Sequence, residues 1–154
     1  MPRTKGPQML IVHMNKTFRV RSNEWFMAAV VFLWGVVLIQ PQETFTQPSY
    51  SILAQHASED TWAIFCLVGG SLRLLALAIN GAMRPSPHVR AVLAFLSAFF
   101  FLQLAFGFLT AGTLSTGLAV YPAAAVFDFV NALHAIGDAA DVDRKHKENA
   151  RDPA

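Results

Sequence analysis

The sequence predicts an all-α integral membrane fold, a four-helix transmembrane bundle with both termini cytoplasmic. Three observations predict it. Apolar runs long enough to be helical spans recur four times in 154 residues. Charged residues are only 14% of the chain and gather mostly at its ends. Lys and Arg avoid two of the three connections between the runs. AVILMFWYC residues alone make up 54%, against roughly 45–50% with glycine included in soluble domains. Such a chain buries apolar surface in lipid, where helices satisfy their own backbone hydrogen bonds.

Residues 1–21 are a basic cytoplasmic leader with Arg3, Lys5, Lys16, Arg19 and Arg21. Beside apolar spans, this charge reads better as an anchor against anionic lipid than as a nucleic-acid surface. Met9–Met14 is too short to cross a bilayer. A cleaved signal peptide is not expected, because the hydrophobic run after Arg21 ends at Gln40-Pro41 without a small-x-small site. Met14 is an alternative start that leaves a shorter basic leader.

The transmembrane domain covers residues 22–137, with spans at about 24–40, 61–83, 89–111 and 118–136. Ser22 and Asn23 are candidate N-caps for the first span, Glu24 suits its positive end, and Pro41 stops it. Trp25 sits where indoles favour the interface. The apolar core of this span is only about 15 residues, or about 23 Å, so it needs a thinned bilayer or flanking side chains. The 41–60 loop carries Glu43, Glu59 and Asp60 and no Lys or Arg, with a short surface turn expected around Tyr50–Ala54. Ser58 is the expected cap of the second span.

The second span ends at Asn80-Gly81 and the Pro85-Ser-Pro87 pair, followed by a connection with Arg84, His88 and Arg90. The third holds six phenylalanines and two small-xxx-small pairs, Ala94/Ala98 and Gly107/Ala111. Such pairs let helices approach closely, within the chain or between copies. Pro122 is tolerable in the first turn of the fourth span and would kink a run begun earlier. Residues 138–154 read as a charged cytoplasmic tail, solvated and frayed. Eleven of the twelve Lys and Arg lie in the leader, the 84–90 connection or this tail, which places both termini in the cytoplasm.

The twelfth is Arg73, at mid-depth in the second span. A cation there costs roughly 2.5–3.5 kcal/mol on insertion-based scales, so it needs a partner. Asp128 is the one acid inside the apolar part of another span, at matching depth in a helix running the same way. Asn80 shares a face with Arg73, and Tyr121 and Asn131 share a stripe with Asp128. His134 and Asp138 drift off the edge of that stripe. The residues leave two readings: an ion pair that fixes helix order and register, or a proton path through Asp128 with His134 as relay. One acid and one base neutralise each other and leave no titrating surplus, which favours the first.

Other chemistry has little in its favour. Cys66 is the single cysteine, so an intrachain disulfide or a cysteine metal cluster is excluded. His56 and His134 lie near opposite membrane faces, which makes a poor bis-histidine haem site. No glycine-rich phosphate loop, serine-nucleophile motif or HExxH is present. The chain is not expected to be an enzyme or to hold a metal or other cofactor. Its expected partners are the lipid bilayer, a homo-oligomer and a host or phage membrane protein, with no nucleic acid.

The run Trp34-Gly-Val-Val-Leu38, Pro41 with Thr44-Phe45, Trp62, Arg73-Leu74, Ala76-Leu77, Ile79-Asn80-Gly81, Arg90, Thr116-Gly117 and Tyr121 resembles small multi-span membrane proteins of tailed phages and prophages. The resemblance covers about residues 22–140. It implies a viral origin and the bacterial host inner membrane. Holins, small multi-span proteins with charged cytoplasmic ends, share this general form, although no holin-specific motif is present. The leading expectation is a holin-like protein that self-associates and perturbs or permeabilises the bilayer. The alternatives are an interaction module such as a superinfection-exclusion protein, and a small proton- or ion-coupled carrier using Asp128.

Overall fold

The computed structural model describes residues 21–82, 87–112 and 114–151, the side chains of 80–82 and 151 excepted. The 1–20 leader, Arg84 and the side chain of Asn80 therefore lie outside the described residues. Those described form helices and turns, with no strand among them. The long helices are α1 (Ser22–Leu38), α3 (Glu59–Ala82), α4 (Pro87–Thr110) and α5 (Gly117–Arg151), with a short α2 (Ser51–His56) between α1 and α3. α3, α4 and α5 each contain a stretch long and apolar enough to cross a membrane, whereas α1 is a shorter apolar helix.

α1 starts one residue earlier than its expected caps allow. Arg21 occupies the N-cap without a side-chain cap bond, so Ser22 and Asn23 lie in the first turn. The chain leaves α1 at Ile39, and the Gln40 side-chain amide donates to the Val36 carbonyl at 3.0 Å. Two 3-10 turns, Thr44–Thr46 and Pro48–Tyr50, then lead into α2. The expected surface turn is thus a short helix, and its Leu53 is buried. The carboxylate of Glu59 accepts from the Thr44 amide at 2.9 Å and the Phe45 amide at 3.0 Å. Trp62 Nε1 donates to the Leu53 carbonyl at 3.0 Å. These bonds fold the loop into a cap over the helix ends. Ser58 caps α3 as expected, its Oγ accepting from the Thr61 amide at 3.3 Å.

α5 departs most from expectation. It runs 35 residues, through the tail expected to fray. Between Gly137 and Pro153 the tail has no glycine or proline and is rich in Ala, Lys and Arg, which are good helix formers. Asp141 and Arg144 pair at 2.7 Å one turn apart. His88 Nε2, near the start of α4, lies 3.4 Å from Asp143. The helix is about 52 Å long, far more than the roughly 30 Å hydrocarbon layer. Pro122 stands just past its first turn, where it removes one backbone hydrogen bond.

The long helices pair as two antiparallel hairpins, α1 with α3 and α4 with α5, each packed more extensively than the two are against each other. Glycine sets the first pairing. A Cβ on Gly70 would lie 2.7 Å from both the Cα and the amide nitrogen of Phe32, and one on Gly35 would lie 2.7 Å from the Leu67 amide nitrogen. The matched positions 32 with 70 and 35 with 67 define the antiparallel register.

The polarity of the molecule is inverted relative to a soluble domain. Phe26, Leu33, Ile64, Leu75, Phe95, Leu109 and Phe129 are exposed, while Glu24, Arg73, Arg90, Ser97, Asp128 and Asn131 are buried. So extensive an apolar exterior fits a lipid environment. The small-residue seams of α4 are used inside the chain. Ala94 and Ala98 are buried, and Gly107 sits directly under the Ser49 carbonyl.

Gly69 and Gly70 provide a paired test. Nothing lies within 4 Å of a Cβ built on Gly69, so Gly69→Ala should keep or raise the thermal midpoint in detergent, by the roughly 0.5–1 kcal/mol that Ala gains over Gly in a helix. Gly70→Ala should lower it, because backbone crowding of this kind costs about 1–3 kcal/mol.

Candidate functional site

The site begins with Arg73, roughly 21 Å along α3 from its Glu59 end. Its guanidinium is buried and forms a bidentate pair with Asp128 of α5. Nη1 donates to Oδ2 at 2.9 Å, and Nη2 donates to Oδ1. Asp128 has no exposed surface. The Ser97 hydroxyl of α4 donates to Oδ2, and Asn131 Nδ2 donates to Oδ1 at 3.2 Å. Each carboxylate oxygen therefore accepts twice, with donors from three helices. A planar fork meeting a carboxylate in this way is the strongest ion-pair geometry side chains offer. Removing its water is offset only when the remaining acceptor sites are filled, as Ser97 and Asn131 fill them here.

The other expected site residues divide. Tyr121 is about 10 Å along α5 from Asp128. It lies half-buried among aromatics, its ring centroid 5.7 Å from Trp34 and 5.0 Å from Phe108. His134, the expected relay, stands apart from the pair. Six residues beyond Asp128, it has turned by about 240° to another face of the helix, and it is exposed. The structure does not bring Asp128 and His134 together.

A second buried layer was not anticipated. Arg90, expected in an open connection, is 3% exposed and lies in the first turn of α4. Its Nε donates to Glu24 Oε2 at 2.8 Å, its Nη2 to Glu24 Oε1, and its Nη1 to Asp138 Oδ2 at 2.9 Å. Arg21 Nη2 reaches the same Asp138 oxygen at 3.3 Å. Asp138, thought to leave the stripe, is thus engaged from two helices. The sequence does hold a signal for this layer and for Ser97. Arg90, Ala94, Ser97, Phe101, Leu104 and Phe108 recur at helical spacing, and all are buried.

Among the described residues no group of three or more His, Cys, Asp or Glu side chains converges on a point where a metal could bind. Cys66 is free and buried in the apolar core. His56 is exposed, its Nδ1 2.7 Å from the Ile52 carbonyl oxygen. No protein-family model matches the chain, and neither a curated protein nor a solved structure does.

The central pair has a diagnostic mutational pattern. Arg73→Leu and Asp128→Leu should each lower membrane accumulation and thermal stability, since each strands a buried charge. The double variant should recover much of that loss. Ser97→Ala should cost less than either single change, about 1.5–3 kcal/mol for a hydrogen bond to a charged group. Immunoblots of membrane fractions and thermal midpoints in detergent measure both. Simple addition of the two single losses would show that the residues do not act as partners.

Proposed function

We propose that this chain is a phage-type protein of the bacterial inner membrane, crossing it with four helices and acting as a membrane-embedded interaction module of the superinfection-exclusion kind. α1 supplies the fourth crossing. Its 17 residues span about 26 Å, a small mismatch that local thinning absorbs. Both termini are cytoplasmic. Arg21, Arg90 and the Arg144–Lys147 segment belong to one end, while the opposite loop carries Glu43, Glu59 and Asp60 without a Lys or Arg.

The observation that carries the interaction reading is the closure of the interior. Asp128 has both oxygens occupied and its charge balanced by Arg73. A carrier needs a group that gives up and regains its proton or ion along a path, and the exposed His134 does not continue one from Asp128. The α4 seams suited to close self-association are already filled by α5 and the loop cap. What remains for partners is the outer cap, the α5 extension and the apolar exterior.

The holin-like reading keeps one supporting feature. An apolar depression of about 310 Å³ lies between α4 and α5, lined by Phe95, Phe99, Leu102, Val126 and Phe129 around Ala98 and Ala125. A second copy seated there would make the oligomer that permeabilisation requires.

Expression in bacteria separates the two. The interaction module predicts resistance to phage entry with growth and membrane potential intact, read by plaque counts and a potential-sensitive dye. Abrupt depolarisation would favour the holin-like reading instead. Reporter fusions at Ser49 and at the C-terminus should fall on opposite sides of the membrane, and finding both on one side would overturn the four-crossing arrangement.

A further inference from the structure

The two hairpins cohere differently inside and between. Inside the α1/α3 hairpin, backbones approach closely at Gly35 and Gly70. Between the hairpins the contact is thinner, and among the described residues three ion pairs cross it: Arg73 with Asp128, Glu24 with Arg90, and Arg21 with Asp138. Their polarity alternates. From mid-depth towards the helix ends, the α1/α3 hairpin presents cation, anion, cation, and the α4/α5 hairpin presents anion, cation, anion.

The first two levels are well spaced, while the third adjoins the second, because Arg90 also donates to Asp138. Ser97 stands at the Asp128 level and Arg90 two turns away on α4, so the first two levels are about 10 Å apart. Sliding one hairpin by that distance would bring Arg73 towards Arg90 and leave Asp128 without its cation. Repulsion between like charges in a poorly solvated interface rejects such an offset. Lipid supplies no hydrophobic force to hold two apolar hairpins together, so cohesion falls to packing and polar links.

We propose that the α1/α3 and α4/α5 hairpins are separate docking units that recognise each other through this alternating charge code, in a single register. The connection at 83–86 then tethers the units without being what holds them together. The proposal concerns assembly within one chain and stands whichever biological role is correct.

The test uses the full chain with a site-specific protease sequence inserted at 83–86 and an affinity tag at the C-terminus, purified in mild detergent and then cut. The first hairpin of the otherwise unaltered protein should stay with the tagged second hairpin on the resin. Glu24→Gln should lower its retention several-fold. Glu24→Lys, which sets a cation against Arg90, should lower it further. Circular dichroism before cleavage establishes that each variant has kept its helices, and Arg21→Gln at the half-exposed rim replaces any variant that has not. Separation of the unaltered halves on cutting would overturn the proposal. So would unchanged retention in the glutamine variant, or equal loss in the glutamine and lysine variants.

Discussion

The structure depends on one buried carboxylate. Asp128 accepts from Arg73 on α3, Ser97 on α4 and Asn131 on its own helix. An isolated charge at such a position favours expulsion to water or neutralisation. Here three helices bring donors to it at one depth. That condition fixes a good deal. α3 and α5 must run parallel with Arg73 and Asp128 in step, and α4 must present the Ser97 face to them. Few arrangements of these helices satisfy all of this at once.

The remaining contacts between the hairpins sit above and below that point and differ in chemistry. On the loop side, aromatic rings meet edge to face: Trp34 with Phe100 at 5.6 Å, and Tyr50 with Phe108 at 5.6 Å. Rings in this geometry gain from their quadrupoles as well as from packing. At the other end the contact is ionic, through Glu24 with Arg90 and Arg21 with Asp138. The loop cap belongs to the aromatic end. Glu59 holds its first turn, and the Ser49 carbonyl rests on Gly107, where a side chain would not fit. One hairpin thus reaches across the other through its loop as well as through its charges.

The sequence made the helices and the central pair legible for a simple reason. An arginine in an apolar run has few allowed partners, and depth counted from the helix ends left Asp128. Asn131 followed from its spacing. The second layer was harder to see because Glu24 and Arg90 lie near helix ends, where charge is ordinary and needs no partner. Only the docking of the two hairpins, α3 against α4 and α1 against α5, turns those ends inward and makes the residues meet. Ser97 carries no signal by type, since a serine in an apolar helix is usually unremarkable. Its place on the buried stripe with Arg90 and Phe101 was the available clue. The helical tail was missed because high charge suggests solvation, while the absence of glycine and proline from 138–152 is the stronger local determinant.

The interior and the ends therefore do different work. Inside, each buried charge is matched: Arg73 by Asp128, and Arg90 by Glu24 with Asp138. Matched groups define register, but they offer little to a solute or a proton, because displacing either partner exposes the other's full desolvation cost. The ends keep charge that is free to meet water and other molecules. Asp60 on the loop side and Arg144 and Lys147 on the α5 extension are all exposed. Specific recognition needs polar groups that desolvate only when the right partner arrives. In this molecule such groups lie at the two ends, joined by an interior whose buried charges are paired.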